Sequence, residues 1–387
     1  MPDRPATLAT DLSRRLAALD RRHRRRTLQG RSGFDFASND YLGLAEGPEL
    51  KAVAAAAIER GVPIGAGASR LLRGNHPAHE ALEAFAAAYF GAESALYFAG
   101  GFTANAALIA TLPQRGDLIV HDELIHASAH DGMRLAKANT ASAMHNDAQA
   151  FDDVISHWRA KGGTGRVWIV VESLYSMDGD RAPLVELIAV ADRHDGVLIV
   201  DEAHATGALG PRGRGLAAHL EGRHNVITLH TCGKAIGVAG GLVCGPQAMT
   251  DFLVNRCRPF IYATAPSPLV AAVTEAALRL VGDADDRRAL LAARSALVSR
   301  RVEAMTGAPA TVSHIVPVRL GRDDRALAVA QALQERGYDV RAIRPPTVPE
   351  GTARLRLSLT LNVDEATTLA LLDAVQTLLP LPAEAVP

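Results

Sequence analysis

The sequence is poor in the residues and patterns that mark secreted, membrane-spanning and nucleic-acid-binding proteins. Its three cysteines, Cys232, Cys244 and Cys257, are an odd number without C-x-x-C spacing, which argues against a disulfide framework or structural zinc and fits a reducing cytoplasm. No apolar run approaches the roughly 18 residues of a membrane span, and the start lacks the apolar stretch of a signal peptide. The formal net charge of -1 at pH 7 gives no field that would attract nucleic acid or an anionic membrane. We therefore expect a cytoplasmic protein without metal, nucleic-acid or membrane partners.

Positive charge is concentrated in one place, the run RRHRRR at residues 21–26. Such a run could indicate a nucleic-acid patch or an organellar presequence. Asp11 and Asp20 precede this run, however, and leucines recur at positions 12, 16 and 19. That spacing predicts the polar end of an amphipathic N-terminal helix.

Apolar, β-branched runs alternate with Ala-rich helical stretches over most of the chain. The runs are SALYFA, DLIVHD, RVWIVVES, GVLIVDEA, NVITLH and GGLVCG. Their apolarity is continuous, which is typical of parallel strands that helices cover on both faces. After these runs a charged helical stretch leads to further strands and amphipathic helices. We predict an α/β fold with an N-terminal arm over 1–45, a large domain over 46–280 and a small C-terminal α+β domain over 281–387.

Two polar residues follow a buried strand in the segment VLIVDEAHATGALG. Asp201 ends the strand and His204 comes shortly after it, at the edge where open parallel sheets place their ligand sites. The letters DEAH also occur in nucleotide-hydrolysing helicases, but the sequence lacks the G-x-x-x-x-G-K-[ST] phosphate loop that such enzymes need. The segment GAGASR at 65–70 lacks the third glycine of a dinucleotide fingerprint, so NAD binding has little support.

A lysine in unusual surroundings follows the next strand. NVITLH runs into TCGKAIGVAGG, which places Lys234 in an apolar, Gly-rich turn. Desolvation favours the neutral lysine amine, and imine formation requires that form. Taken alone, Lys234 could equally be a lysine whose ammonium reaches the surface.

Lys234 and Asp201 together are more specific than either residue alone. A pyridoxal-phosphate site needs a lysine for the cofactor's aldehyde and a carboxylate for its pyridine nitrogen. The two residues follow successive strands, so both could reach one ring. The segment AGGFTANAAL adds two glycines at a helix start, where Gly101 and Phe102 are candidates to bind the phosphate. By itself, a GG pair before a helix is more often only a turn.

Ordered motifs extend over nearly the whole chain. They run from SNDYLGL through GAGASRLLRGNHPAHEALE, GGFTAN, HASAHDG, HND, SMDGD, DEAHATG, TCGKAIG and YAT to the C-terminal segment. Through these motifs the chain closely resembles the α-oxoamine synthases, a branch of the fold-type I pyridoxal-phosphate enzymes. The resemblance implies a mostly parallel seven-stranded sheet sandwiched by helices in the large domain. It also implies pyridoxal 5′-phosphate as cofactor and a homodimer with the active site at the subunit interface.

The resemblance further implies roles for individual residues. Lys234 would carry the cofactor as a Schiff base and act as acid and base at the substrate's α-carbon, while Asp201 would pair with the pyridine nitrogen. His204 would hydrogen-bond the phenolic oxygen, with Ser176 nearby, and His126 would stack on the ring face. For each histidine the alternative is a satisfied core residue.

Contacts to the phosphate and to the substrates are implied in the same way. The positions that match phosphate contacts are Gly101, Phe102, Thr231 and, reaching across from a second subunit, Thr264. Arg356 matches the arginine that binds the amino-acid carboxylate, a role suited to a planar bidentate donor, and its alternative is an exposed strand arginine. Asn39 and Arg24 match substrate-binding positions.

The segment AIRPPTVPEGTARLRLSLT carries information about the substrates. It resembles most the family members that condense L-alanine with a pimeloyl thioester in biotin synthesis, with either pimeloyl-CoA or a pimeloyl acyl carrier protein as donor. Members that use glycine and acetyl-CoA are the alternative within the family. A catalytically silent regulator is the alternative from another class, and the intact Lys234, Asp201, His204 and Arg356 argue against it.

Overall fold

Residues 7–311 and 313–379 are described by the structure, a computed structural model. They form two compact units. The large unit consists of Asn39–Ala293 and Thr360–Asn362. The small unit consists of the described residues of Met1–Ser38, Arg294–Leu359 and Val363–Pro387.

Helices and strands alternate along most of the chain. The strands are β1 (Phe34–Asp35), β2 (Ser94–Phe98), β3 (Leu118–Asp122), β4 (Asn139–Ala143), β5 (Val167–Glu172), β6 (Val197–Asp201), β7 (Val226–Thr231), β8 (Gly241–Gly245), β9 (Ile315–Gly321), β10 (Tyr338–Asp339), β11 (Arg341–Ile343) and β12 (Ala353–Ser358). The helices are α1 (Leu8–Arg21), α2 (Pro48–Glu59), α3 (Pro77–Phe90), α4 (Gly101–Thr111), α5 (Ala127–Leu135), α6 (Ala148–Ala160), α7 (Leu184–Arg193), α8 (Gln247–Arg256), α9 (Arg258–Ile261), α10 (Pro268–Gly282), α11 (Asp285–Thr306), α12 (Asp323–Glu335) and α13 (Glu365–Leu378).

The large unit is built on a seven-stranded sheet with the order β2-β8-β7-β6-β5-β3-β4. Strand β8 is antiparallel to both of its neighbours, and every other neighbouring pair is parallel. Alternate residues of one strand enter different apolar clusters: Ile199 packs in one, while Leu198 and Val200 pack in the other. Both faces of the sheet are therefore buried, as the continuous apolar runs predict, and the predicted mostly parallel, seven-stranded sheet is confirmed.

The parallel strands bring polar residues to one edge of this sheet. Glu172 ends β5, Asp201 ends β6 and Thr231 ends β7. Because neighbouring parallel strands end on the same side, these three residues lie at one edge of the sheet, with Glu172 and Asp201 as register partners.

The small unit contains an antiparallel sheet with the order β11-β12-β9, together with helices α12 and α13. All six residues of the central strand β12 are buried. The C-terminal part of this unit therefore combines an antiparallel sheet with helices, an α+β arrangement. Among the described residues of both units, no helix is both long enough and apolar enough to cross a membrane.

The compact units differ from the predicted segments 1–45, 46–280 and 281–387 at both boundaries. The N-terminal segment groups with the small unit only as far as residue 38, because β1 pairs in parallel with β10. The later boundary lies at 293/294, inside α11, because this helix continues without a break from Asp285 to Thr306. Helix α1 lies in the N-terminal segment, and its leucines are exposed. It ends at Arg21, so most of the basic run at 21–26 follows the helix and does not form its polar end as predicted.

Candidate active site

A cavity of about 210 Å³ opens at the carboxyl ends of β5, β6 and β7. It brings together many of the side chains singled out in the sequence. The lining residues are Gly101, Phe102, His126, Ser128, Glu172, Asp201, Ala203, His204, Leu229, Thr231 and Lys234. All of them belong to the large unit.

A chain of hydrogen bonds connects the candidate lysine to the protein interior. Lys234 Nζ lies 2.6 Å from His204 Nε2, and the other ring nitrogen of His204 lies 2.7 Å from the Tyr41 hydroxyl. Tyr41 is fully buried and donates to Asn39 Oδ1 at 2.9 Å. The imidazole is therefore held on both sides, in a position to exchange a proton with the lysine amine.

Asp201 has a hydrogen-bond donor on each oxygen. The backbone N–H of Ala203 donates to Oδ1 at 2.9 Å, and Asn105 Nδ2 donates to Oδ2 at 2.9 Å. Asn105 is itself buried and also donates to Ser128 Oγ at 2.9 Å. A donor on each oxygen fixes the orientation of the Asp201 side chain in the cavity.

His126 stands at the start of α5, where its Nδ1 accepts the backbone N–H of Ser128 at 3.2 Å and lies 2.8 Å from the Ser128 hydroxyl. Its ring makes an edge contact with Phe102, with 6.0 Å between centroids. Burial lowers the pKa of His126, although the charge of Asp201 acts in the opposite direction. A neutral, oriented imidazole face is therefore available to the cavity.

The start of α4 can bind an anion. Its N-cap is Gly100, and no side chain caps the first backbone N–H groups. A Cβ added to Gly101 would come within 2.9 Å of Thr231 Oγ1, so only glycine lets the helix start approach β7 this closely. Uncapped N–H groups at a helix start, beside a threonine hydroxyl, are a suitable cradle for a phosphate.

These residues fit pyridoxal phosphate. The cavity holds an amine for an aldehyde, a carboxylate for a ring nitrogen, an imidazole for a ring face and a glycine-lined cradle for a phosphate. Among the described residues, no group of three or more His, Cys, Asp or Glu side chains could hold a metal ion.

The remaining predicted site residues lie outside the lining of this cavity. Ser176 is buried, and its backbone N–H donates to Glu172 Oε2 at 3.2 Å. Thr264 is exposed. In the small unit, Arg24 donates to Asp323 at 3.1 Å and to Glu350 at 2.5 Å. Arg356, also in the small unit, is buried and donates to Ser358 Oγ at 2.5 Å.

Sequence reasoning missed four residues that build the site, namely Tyr41, Asn105, Ser128 and Glu172. A signal for Glu172 was present, because it ends a buried parallel strand as Asp201 does. The other three occur within quoted motifs, SNDYLGL, GGFTAN and HASAHDG, but single letters do not reveal which neighbour a hydroxyl or amide contacts.

The three cysteines are all buried. Burial raises the pKa of the Cys232 thiol to about 12, and burial raises the pKa values of Cys244 and Cys257 as well. A protonated, inaccessible thiol is a poor nucleophile, so Cys232 is inert despite its position two residues before Lys234.

Comparison with known proteins gives one consistent picture. The family model for aminotransferase class I and II matches residues 31–375. An 8-amino-7-oxononanoate synthase of Chromobacterium violaceum is 42% identical over 97% of this chain and 99% of its own length. A protein of the same name from Anaeromyxobacter dehalogenans is 42% identical over 94% of each chain.

Solved structures of pyridoxal-phosphate enzymes have the same fold as this chain. Serine palmitoyltransferase from S. paucimobilis, with a bound PLP–myriocin aldimine, has a TM-score of 0.87 at 27% identity and covers 96% of this chain and 98% of its own. An 8-amino-7-oxononanoate synthase from Francisella tularensis has a TM-score of 0.74 at 26% identity, over 89% of this chain and 97% of its own. The predicted fold class, fold-type I, is confirmed.

Proposed function

This chain belongs to the class I and II aminotransferase family and, within it, to the 8-amino-7-oxononanoate synthases, and we propose that it condenses L-alanine with a pimeloyl thioester. The donor is pimeloyl-CoA or a pimeloyl acyl carrier protein. The alanine α-carbon loses a proton and forms a carbon–carbon bond with the thioester carbonyl carbon, while the carbon–sulfur bond breaks and the thiol leaves. The bond from the α-carbon to its carboxylate then breaks to release carbon dioxide, and the α-carbon takes up a proton. The products are 8-amino-7-oxononanoate, carbon dioxide and the free thiol of the carrier.

The main support for this proposal is that Lys234 and Asp201 line the same cavity. When bound there, pyridoxal phosphate is an electron sink for the bonds at the amino acid's α-carbon. Lys234 would hold its aldehyde and Asp201 its ring nitrogen. Gly101, Phe102 and Thr231 would bind its phosphate.

Lys234 and His204 would move the protons of the reaction. A proton can pass across the 2.6 Å between Lys234 Nζ and His204 Nε2, which leaves the lysine amine neutral. The neutral amine can remove the α-proton of alanine and later return a proton to the product. His126 would cover one face of the site without adding a second cation there.

The remaining assignments concern the substrates and the assembly. We propose that Arg356 binds the alanine carboxylate and that Asn39 and Arg24 contact the substrates. Thr264 would complete the phosphate site of a second subunit, which makes the enzyme a homodimer. A homodimer active in biotin synthesis in the cytoplasm agrees with the three buried, reduced cysteines.

A substrate matrix tests the reaction. Purified protein loaded with pyridoxal phosphate is mixed with L-alanine, glycine or L-serine, each with pimeloyl-CoA or acetyl-CoA, while thiol release is followed and the product mass is measured. We expect turnover with alanine and pimeloyl-CoA. Turnover only with glycine and acetyl-CoA would move the enzyme to the alternative substrates, and a protein that binds no pyridoxal phosphate would refute the enzymatic proposal.

The cofactor lysine can be identified separately. Borohydride reduction of the holoenzyme fixes the cofactor on its lysine, and peptide mass spectrometry locates the modified residue. The chain offers three internal controls, because Lys51, Lys137 and Lys161 are all exposed. We expect modification of Lys234 alone, and labelling of an exposed lysine instead would contradict the assignment.

A further inference from the structure

We propose that Glu172 is a positioning residue that keeps its carboxyl proton at neutral pH, so that Asp201 is the only carboxylate of the cavity. The claim about the proton depends only on the protein's own groups. The consequence of this proton for the reaction rests on the proposed function, in which Asp201 pairs with the ring nitrogen of pyridoxal phosphate.

The sheet places the two acids side by side. Glu172 and Asp201 are register partners at the ends of the parallel strands β5 and β6. Neighbouring strands lie about 4.8 Å apart, and partners in register point to the same face. Both residues line the cavity, and both are buried, with Glu172 only 2% exposed.

Two acids in such a place cannot both be ionised at low cost. Each negative charge disfavours the other, and burial removes the water that would stabilise them. The site therefore favours one shared negative charge, and hydrogen-bond donors decide which residue carries it.

The donors favour Asp201 as the charged residue. Asp201 accepts two hydrogen bonds of 2.9 Å, one on each oxygen. Glu172 accepts one bond of 3.2 Å, from Ser176 N–H to Oε2, and among the described residues its Oε1 has no hydrogen-bond partner. Burial, followed by the charge of Asp201, raises the pKa of Glu172 well above its usual value, and the charge of Asp122 adds to this effect. The charge of Lys234 and the hydrogen bond from Ser176 act in the opposite direction without reversing it.

A neutral Glu172 has two consequences for the site. It adds no second negative charge beside Asp201, the residue that would pair with the ring nitrogen. Glu172 Oε2 meanwhile holds the backbone of Ser176, and thereby fixes the turn that follows β5. The residue acts through its neighbours, and its shape and hydrogen bond matter more than a charge.

Three variants separate these roles, namely Glu172→Gln, Glu172→Leu and Asp201→Asn. Glutamine is neutral and keeps an acceptor oxygen, so we expect pyridoxal phosphate to bind within about threefold of wild type. Leucine removes the acceptor for Ser176, and asparagine at 201 removes the charge. Both should weaken binding about tenfold or more in absorbance titrations of the apoprotein. If Glu172→Gln weakens binding as strongly as Asp201→Asn, or shifts the pH midpoint of the bound cofactor's absorbance, Glu172 carries charge and the proposal fails.

Infrared difference spectroscopy on the apoprotein tests the proton directly. The spectrum of wild type minus Glu172→Gln should contain the C=O stretch of a protonated carboxylic acid at pH 7. A carboxylate signal in its place would overturn the proposal. Because this measurement needs no cofactor, it decides the state of Glu172 even if wild-type protein binds no pyridoxal phosphate, a result that would refute the proposed function instead.

Discussion

Replacing His145 should destabilise the protein at neutral pH and flatten the pH dependence of its stability in the alkaline range. His145 Nδ1 lies 2.8 Å from Asp122 Oδ1, and its Nε2 lies 2.6 Å from Asp180 Oδ2. Burial acts to lower the pKa of His145, but hydrogen bonds to the two carboxylates raise it to about 10. The imidazole is therefore a cation at neutral pH that joins the end of β3 to the SMDGD turn, which includes Ser176.

The magnitude follows from this shift. One pKa unit corresponds to about 1.4 kcal/mol. A rise from 6.5 to about 10 therefore limits the contribution of His145 to the free energy of unfolding to about 5 kcal/mol. The Asp180 side chain is 38% exposed and partly screened by water, so we expect about 3 kcal/mol. The folded-state pKa is the higher one, so this stabilisation is fully present below pH 6.5 and is lost as the pH rises through about 10.

Urea denaturation of the apoprotein at several pH values between 6 and 10 measures the effect. Between pH 6 and 10 the free energy of unfolding of wild type should fall by about 3 kcal/mol more than that of His145→Gln. The two free energies should converge near pH 10. His157→Gln, an exposed histidine on α6, is the matched control and should follow wild type. Parallel pH curves for wild type and His145→Gln would show that His145 is not charged in the folded protein.

Three further changes test the site and its surroundings. Gly101→Ala should weaken cofactor binding about tenfold or more in absorbance titrations, because the new Cβ meets Thr231 Oγ1 at 2.9 Å. Gly100→Ala is its control, because its Cβ meets nothing within 4 Å, and equal losses would refute the steric reasoning. Tyr41→Phe removes the buried hydrogen bond to His204 and should lower kcat about tenfold in steady-state assays, and an unchanged kcat would contradict it. The three buried cysteines should resist a thiol reagent in the native enzyme, and rapid labelling would show that they are accessible.

Most of the central sheet could be predicted from the sequence because its strands are buried on both faces. Such strands consist of continuous apolar residues, and all residues of β3, β5, β6, β7 and β8 are buried. Strand β4, NTASA, gave no such signal. It lies at the sheet edge and is largely exposed, so burial does not constrain its composition.

Long-range pairing explains why the boundaries of the units could not be predicted. Strand β1 is only two residues long, and its partner β10 is about three hundred residues away in sequence. No local pattern in FD or YD announces this pair. The later boundary was predicted too early, because the charged first turns of α11 look like the start of a new unit. The boundary between the two units lies within this helix.

Glu172 and Asp201 show what can and cannot be predicted from an acidic residue at the end of a strand. Both are acids at the ends of buried parallel strands, so the sequence pattern selects them equally. What separates them is the number of donors that the fold aims at each carboxyl group, two at Asp201 and one at Glu172. One Asp201 donor is the side chain of Asn105 on α4, a contact between elements that no spacing along the chain encodes. The position of a chemical group at a sheet edge can therefore be inferred from sequence, whereas its protonation state, and with it its role, depends on tertiary contacts.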